Sequence, residues 1–285
     1  MAYKEYSWTT KEQIKLYAQA WMPDGQVKAV LVLLHGLGEH SGRYLNVATM
    51  LNREGYALLG LDLRGHGRSE GPRGHFSFEE ALDDMDLLIS KAQKISPGTP
   101  IYLYGHSLGG NLVLYYAMKR LPTSLQGIIV TGPALGTGSP IPGWKLSLAK
   151  LMKGINPTMT MDNGLDVTGL SRNPNVVSAY KSDPLVYPLV SVRLGWDLIQ
   201  SGHWLIEHAA EYPSIPLLIM QGSADRIVDP AATEKFVKNA KGNITFRLWQ
   251  GDYHELHNEP NRDEVFNVML HWLNETSLPK AKAAV

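Results

Sequence analysis

A Gly-x-Ser-x-Gly pattern links an apolar strand to a helix in the sequence Tyr102-Leu103-Tyr104-Gly105-His106-Ser107-Leu108-Gly109-Gly110. The prediction of an α/β fold starts from this strand–turn–helix. A serine at the apex of such a strained strand-to-helix turn leaves no room for neighbours larger than glycine. The pattern occurs a second time, in Gly67-Arg68-Ser69-Glu70-Gly71, but Pro72 follows and no helical pattern comes after it. We therefore interpret the second stretch as a glycine-rich turn and take Ser107 as the candidate nucleophile.

Apolar strands and amphipathic helices alternate on both sides of this stretch. Runs that are apolar at nearly every position, as in strands buried on both faces, are residues 29–34, 57–61, 101–104, 127–130 and 217–220, and residues 14–21 and 244–249 alternate with period two. Apolar stripes with helical spacing are Leu82/Met85/Leu88/Ile89, residues 112–119 before Pro122, and Val265/Val268/Met269/Trp272. This order predicts an α/β fold with a mainly parallel central sheet and helices on both faces. The first fifty residues give only strand and loop patterns.

Composition excludes several classes of protein. The 285 residues carry 27 Lys+Arg and 27 Asp+Glu, and this balance argues against a nucleic-acid-binding protein. The absence of cysteine excludes disulfides, thiolate nucleophiles and cysteine-ligated metal sites. The longest apolar run, residues 29–34, is far shorter than the roughly 20 residues that span a bilayer. The N-terminus lacks the apolar core of a signal peptide, so we expect a cytoplasmic protein.

One long segment interrupts the alternation. Residues 131–214 contain no convincing buried strand, and Gly, Pro, Asn and Met are frequent there. A loop of that length in a compact domain normally forms its own substructure. We predict a core formed by residues 1–130 and 215–278, a mainly helical insertion over residues 131–214, and a disordered tail over residues 279–285. Because ligands bind at the carboxyl ends of parallel strands, the insertion would act there as a lid.

A serine nucleophile needs a base, and the base needs a carboxylate that orients it. Two aspartates follow the predicted strand at 217–220. Asp229 directly precedes Pro230 and a helical segment, which is the chemistry of a helix N-cap, whereas Asp225 has no such role. We therefore favour Asp225 as the acid. Two histidines, His254 and His257, follow the last predicted strand as candidates for the base, and position alone does not decide between them.

A metallohydrolase is the chemical alternative at the same place. His254-Glu255-Leu256-His257 is one residue short of the zinc-binding His-Glu-x-x-His pattern, and it lies between Gly251 and Pro260 instead of within a helix. We therefore predict neither a metal nor a cofactor.

Two backbone N–H groups can stabilise the oxyanion of acyl transfer: that of Leu37, in the small-residue turn after the strand at 29–34, and that of Leu108, at the start of a helix.

Five motifs together resemble those of the monoglyceride lipase / lysophospholipase family of the α/β-hydrolases. They are His-Gly-x-Gly-Glu-His-Ser-Gly-Arg-Tyr (35–44), Asp-Leu-Arg-Gly-His-Gly-x-Ser (62–69), Gly-His-Ser-Leu-Gly-Gly (105–110), Gly-Ser-Ala-Asp-Arg (222–226) and Tyr-His-x-Leu-His-x-Glu (253–259). The first and last motifs are the specific ones, and the insertion has no motif that aligns. The chain order Ser107, Asp225, His254 is also that of the α/β-hydrolases.

The resemblance implies an α/β-hydrolase fold with a lid. It also implies a catalytic triad of Ser107, Asp225 and His254, with oxyanion donors at Leu37 and Leu108. It further places Glu39, Arg43 and His257 near the polar head of the substrate. From spacing alone, a surface ion pair between Glu39 and Arg43 is an equal alternative. Position 37 departs from several relatives, which have a smaller residue there, and this leaves the acyl-chain preference open.

The function predicted from these motifs is hydrolysis of monoacylglycerols through an acyl-enzyme. The alternatives are a lysophospholipase or broad carboxylesterase with the same triad, and a non-catalytic lipid-binding member of the fold.

A second prediction concerns how the lipid reaches the site. Trp144, Leu148, Leu151, Met152 and Ile155 form one face of a predicted helix, with Lys145, Lys150 and Lys153 on the rest of its circumference. Such a helix suits peripheral membrane contact through residues 141–155. The alternative is that the stripe packs the insertion onto the core.

Overall fold

An eight-stranded sheet forms the centre of the molecule in the computed structural model, which describes residues 1–277. Its strands are β1 (Ala2–Thr9), β2 (Lys15–Met22), β3 (Ala29–Leu34), β4 (Tyr56–Leu61), β5 (Ile101–His106), β6 (Leu125–Thr131), β9 (Leu217–Gly222) and β10 (Ile244–Trp249). The spatial order is β1-β2-β4-β3-β5-β6-β9-β10. Pairings between β1 and β2 and between β2 and β4 are antiparallel, and the others are parallel. The predicted α/β fold with a mainly parallel sheet is confirmed.

Helices cover both faces of this sheet. The helices of the described chain are α1 (Leu45–Arg53), α2 (Phe78–Ile95), α3 (Leu108–Arg120), α4 (Gly143–Ile155), α5 (Pro174–Ser182), α6 (Val192–Glu207), α7 (Pro230–Asn239) and α8 (Arg262–Ser277). Of these, α4 has no buried residue and packs on α6, outside the layers that cover the sheet. In β3, Leu31 and Leu33 pack with α1 and α8 on one face, and Val30, Val32 and Leu34 pack with α2 and α3 on the other. Because both faces are covered, every position of β3 is buried, which explains its uninterrupted apolar run.

The N-terminal part differs from the sequence prediction in one element. Residues 41–50, predicted as loop, belong to a 3₁₀ turn (Ser41–Tyr44) and to α1, which continues to Arg53. The helix has only nine residues, and no side chain caps its start. Its inward face carries Val47, Ala48, Leu51 and Asn52, and burial of these residues against the sheet stabilises the short element.

The segment between β6 and β9 is mainly helical, as predicted. It contains α4, α5, α6 and a short antiparallel pair, β7 (Thr160–Asp162) with β8 (Leu189–Ser191). Helix α6 contacts α2, α3 and α7, and its Leu194 and Leu205 are fully buried in the main core. Part of the insertion therefore belongs to the helix layer of the core. The domain boundaries at 131 and 214 stay a prediction, and the tail predicted at 279–285 lies outside the described residues.

Membrane-spanning helices are absent from the described part of the chain: within residues 1–277 no helix combines the length and the apolar composition that crossing a bilayer requires.

Candidate active site

Ser107 lies at the apex of a strained turn between β5 and α3. Its φ of 55° and ψ of −116° are unusual for a residue with a side chain. A Cβ on Gly105 would lie 2.3 Å from the Gly109 carbonyl oxygen, and a Cβ on Gly109 would lie 2.0 Å from that of Leu34. Only glycine fits at either position. The turn therefore requires the Gly-x-Ser-x-Gly pattern for steric reasons.

Ser69, in the second copy of the pattern, is held inside its own loop. Its hydroxyl accepts a hydrogen bond from Tyr17 N at 2.9 Å and donates one to Asp62 O at 2.5 Å. This serine is bonded on both sides and is 2% exposed. The structure therefore gives it a structural role, in agreement with the interpretation from sequence.

Asp225 and His254 are joined by a buried hydrogen bond. His254 Nδ1 lies 2.7 Å from Asp225 Oδ2, and Gln221 Nε2 donates to the same oxygen at 3.0 Å. The other carboxylate oxygen of Asp225 accepts from the backbone N–H groups of Ile227 at 2.8 Å and Val228 at 3.1 Å. The carboxylate is thus fixed by four donors, and its orientation selects the His254 tautomer that carries a proton on Nδ1.

Electrostatics reinforce this pair. Burial alone would raise the pKa of Asp225, but His254 and the N–H donors of Val228 and Ile227 bring it below its ordinary value. Burial would lower the pKa of His254, yet Asp225, Glu255 and Glu39 raise it above its ordinary value. His254 is therefore a stronger base than an isolated buried histidine, and its protonated form is stabilised by the carboxylates around it.

Asp229 performs the capping role predicted for it. Its side chain accepts a hydrogen bond from Ala231 N at 2.9 Å, and Pro230 occupies the first turn of α7. Asp225 and Asp229 lie only four residues apart, but Asp225 bonds to His254 whereas Asp229 caps a helix.

Ser107 and His254 are neighbours without a direct hydrogen bond in the described chain. Ser107 N donates to Thr131 O at 3.1 Å, and a Cβ on the next residue, Gly132, would lie 3.1 Å from His254 Nδ1. Hydrogen bonds between nucleophile and base commonly tighten only when substrate binds. The ring of His106 lies 4.7 Å from that of His254, centroid to centroid, and burial lowers the pKa of His106 to about 3, so it is neutral.

The turn after β3 packs against the start of α3, next to Ser107. Gly109 N donates to His35 O at 3.1 Å, and a Cβ on Gly36 would lie 3.3 Å from Ser107 Cβ. Neither Leu37 N nor Leu108 N donates to an acceptor within residues 1–277. The N–H groups of Leu37 and Leu108 are therefore both unpaired within the described residues, and Leu108 directly follows Ser107.

Glu39 and Arg43 form a buried ion pair, so the alternative of a surface ion pair is wrong. The Arg43 guanidinium contacts Glu39 and also binds both oxygens of Glu255, at 2.7 and 2.9 Å. Glu39 accepts further hydrogen bonds from Gly36 N at 2.6 Å and Tyr44 OH at 2.8 Å. Burial would raise the pKa of Glu39, but Arg43 holds it well below its ordinary value. The sequence did not predict that Glu255 pairs with Arg43, because the two residues are 212 positions apart.

His257 is fully buried and has hydrogen-bonding capacity left. Neither ring nitrogen has a partner within the described residues, and the ring stacks on Tyr44 with centroids 4.7 Å apart. Burial lowers the pKa of His257 to about 4, so it is neutral near pH 7, with one N–H donor and one acceptor. Of the three residues expected near a polar head group, His257 is the one whose polar atoms are unused.

The predicted apolar stripe of α4 faces solvent. Trp144, Leu148, Leu151 and Ile155 are 66%, 50%, 60% and 68% exposed, so the alternative that they pack onto the core is wrong for these four. Met152 is half-buried. Lys153 does not share the polar outer surface: its Nζ lies 3.1 Å from Asp197 Oδ1 on α6.

Comparison with known proteins finds a matching family and several similar sequences. Residues 25–261 match the family described as "Serine aminopeptidase, S33". A monoacylglycerol lipase of Mycolicibacterium smegmatis is 32% identical, over 94% of this chain and 96% of that protein. Phospholipase YtpA of Bacillus subtilis is 35% identical, over 87% of this chain and 95% of that protein.

A solved structure extends the comparison to the fold. The crystal structure of a Paleococcus ferrophilus monoacylglycerol lipase superposes with a TM-score of 0.82 at 33% identity, over 97% of this chain and 100% of that one. One relative is much longer than this chain: an abhydrolase domain-containing protein of Dictyostelium discoideum is 35% identical, and the chain spans 28% of its length.

Proposed function

Because this chain belongs to the serine aminopeptidase S33 family of α/β-hydrolases and is a serine ester hydrolase, we propose that it releases a fatty acid from monoacylglycerols, with Ser107 as nucleophile. The observation that carries the proposal is the buried 2.7 Å bond between Asp225 and His254, next to a serine in a strained turn. These groups match the requirements of a nucleophile, a base and an orienting acid.

The proposed mechanism has two displacements at the ester carbonyl. His254 Nε2 takes the proton of the Ser107 hydroxyl while Oγ bonds to the carbonyl carbon, and the N–H groups of Leu37 and Leu108 stabilise the oxyanion. The carbon–oxygen bond to glycerol then breaks, and the glycerol oxygen leaves with the proton from His254. Water repeats the sequence on the acyl-enzyme, releasing the fatty acid and restoring Ser107. Every group required comes from the chain.

Head-group selection is proposed for His257. Its unpartnered ring nitrogens can donate to and accept from glycerol hydroxyls, whereas the Arg43 guanidinium and the Glu39 carboxylate are already hydrogen-bonded to protein groups. In this proposal Glu39 and Arg43 shape the pocket by holding Tyr44 and the turn at Gly36, and any contact they make with glycerol is secondary.

His257→Phe retains a ring that stacks on Tyr44 but removes both nitrogens. We expect it to lower kcat/KM for a monoacylglycerol more than for a p-nitrophenyl ester of the same acid. His271→Phe, at an exposed position on α8, controls for the loss of a histidine elsewhere in the chain. Equal losses on the two esters would eliminate His257 as a head-group contact.

Lysophospholipid hydrolysis with the same residues is the second candidate. The 35% identity to a bacterial phospholipase supports it. The two candidates differ only in the alcohol that leaves, so the chemistry at Ser107 is common to both. A panel of monoacylglycerols of graded length, lysophosphatidylcholine, diacylglycerols and triacylglycerols decides between them. Faster acid release from lysophosphatidylcholine than from monoolein would favour the second candidate.

The exposed stripe of α4 is proposed as the surface through which the protein meets lipid. Trp144, Leu148, Leu151 and Ile155 form a solvent-facing apolar surface, and Lys145 and Lys150 flank it. Exposed apolar surface of this kind favours insertion into the headgroup region, and nearby lysines favour anionic lipid. We propose a reversible, peripheral contact in which the insertion acts as a lid over the acyl site.

A further inference from the structure

The loop that carries His254 is held from outside by a short segment of the insertion. We name residues 252–259 the base loop and residues 169–172 the clamp segment. His254 N donates to Gly169 O at 3.3 Å, and Glu255 N donates to Leu170 O at 2.7 Å. Ser171 Oγ donates to the carbonyl of Asn258 at 2.9 Å. The backbone position of the proposed base is therefore set by a neighbour that lies 80 or more residues earlier in the chain.

Arg172 closes the two ends of the base loop with one side chain. Its Nε contacts a Glu259 carboxylate oxygen, and its Nη2 contacts Asp252 Oδ1. Arg172 N donates to the other oxygen of Glu259 at 2.7 Å, and Nη2 also donates to Asn261 Oδ1 at 3.0 Å. Asp252 and Glu259 are each 1% exposed. Because these are the first and last residues of the base loop, a single guanidinium fixes the span that contains His254.

Asp252 extends this arrangement to the acid. Its carbonyl accepts a hydrogen bond from Ala224 N at 3.0 Å, and Ala224 directly precedes Asp225. A shift of Asp252 would therefore move the backbone next to Asp225 as well as the loop of His254. Asn261 Nδ2 donates to Asp252 Oδ2 at 2.9 Å, so Arg172 and Asn261 together satisfy that buried carboxylate.

The clamp segment leads directly into α5, which contacts Arg43. Asn173 caps α5, and Tyr180 of the same helix lies under the Arg43 guanidinium, 4.7 Å from ring centroid to Cζ. Movement of α5 away from the core would pull on Arg172 directly. The orientation of the base loop and the docking of α5 are thus connected through the clamp segment, and Arg172 is the residue of that segment whose side chain binds both ends of the base loop.

We propose that Arg172 is a positioning residue for His254, which keeps the base loop in its productive place only while the clamp segment is docked. The inference rests on the proposed function, since it assigns Arg172 an effect on the reaction of Ser107. Misplacing a catalytic group by about 1 Å can cost about 10²-fold in rate, even when the substitution lies away from the chemistry. The effect belongs in kcat, because Arg172 is not expected to touch the substrate.

The experiment compares Arg172→Gln and Arg172→Lys with Arg193→Gln. Arg193 is a matched control because it is 37% exposed, against 38% for Arg172, and pairs with Asp197 on α6. Hydrolysis of p-nitrophenyl butyrate is measured and divided by the amount of serine that a fluorophosphonate labels at completion. This division removes any fraction that fails to fold.

For Arg172→Gln we expect kcat per labelled site to fall about 10- to 100-fold, with KM within about twofold of wild type. Arg172→Lys should recover part of the loss, since lysine keeps the charge but lacks the forked donors. If Arg172→Gln does not fold, a reduced kcat of Arg172→Lys carries the same prediction.

Two results would overturn the inference. One is a kcat per labelled site for both Arg172 variants equal to that of Arg193→Gln, and the other is a loss confined to KM. Either result with an active wild type leaves the proposed function standing. A wild-type protein that is neither labelled nor active on any ester overturns the proposed function and this inference together.

Discussion

Ser107 is held in a backbone conformation that costs about 1–3 kcal/mol, and its neighbours are glycines because nothing larger fits. The role of a residue at this site follows from such local constraints. The aspartates show the same principle. Asp229 caps α7 through Ala231 N, while Asp225 is fixed by four donors and bonded to His254. We therefore expect the two aspartates, although only four residues apart, to respond differently to substitution.

Asp225→Asn should lower kcat by several orders of magnitude, about 10⁴-fold in the protease template, because an amide donor facing Nδ1 favours the wrong His254 tautomer. Asp229→Asn should leave kcat nearly unchanged, since Asn caps helices as well as Asp does. Steady-state kinetics on a soluble ester measures both. A large loss of kcat in Asp229→Asn together with a small loss in Asp225→Asn would show that the wrong acid has been chosen.

The pH dependence of kcat/KM reports the base in the free enzyme. The groups facing His254 are Asp225, Glu255, Glu39, His106 and His257, and the carboxylates raise its pKa above the ordinary value of about 6.5. Since neutral His254 is required, activity should be lost as pH falls through this raised pKa. We expect the acid-side midpoint above pH 6.5, and residual activity of Asp225→Asn should show it at lower pH. A wild-type midpoint below that value contradicts the assignment.

At the scale of elements, the strands were predictable because burial on both faces leaves an apolar run, as in β3. Helix α1 was missed because it is short and uncapped, and the sheet stabilises it. Contacts across the chain were beyond reach: Arg43 and Glu255 are 212 positions apart, and Arg172 and Asp252 are 80 apart. Local patterns predict which elements form, whereas the sheet topology decides which of their side chains meet.

Helix α4 carries the prediction that belongs to this scale. Trp144→Ser/Leu148→Ser, made in the Ser107→Ala protein, should reduce co-sedimentation with anionic liposomes at least about tenfold, since burying one such side chain is worth about 1.5–3 kcal/mol. Leu121→Ser, at a leucine 60% exposed beyond the end of α3, is the matched control. Equal binding by the stripe variant and the control, or no binding by any protein, would eliminate α4 as the docking surface.

At the scale of the whole molecule, the parallel sheet brings four loops to one edge. The turn after β3 supplies the N–H group of Leu37, the turn after β5 supplies Ser107, and the loops after β9 and β10 supply Asp225 and His254. The sequence order of these loops was predictable from motifs. The ionic contacts that hold them together were not, because Arg43 and Arg172 join segments that only folding brings near.

Ester hydrolysis by this chain is proposed to depend on Ser107. The direct measurement is fatty-acid release from monoolein by the wild-type protein and by Ser107→Ala, with fluorophosphonate labelling of both. We expect acid release and one labelled serine per wild-type chain, and neither from a folded Ser107→Ala protein. Labelling or acid release that persists in Ser107→Ala at the wild-type level would contradict this proposal.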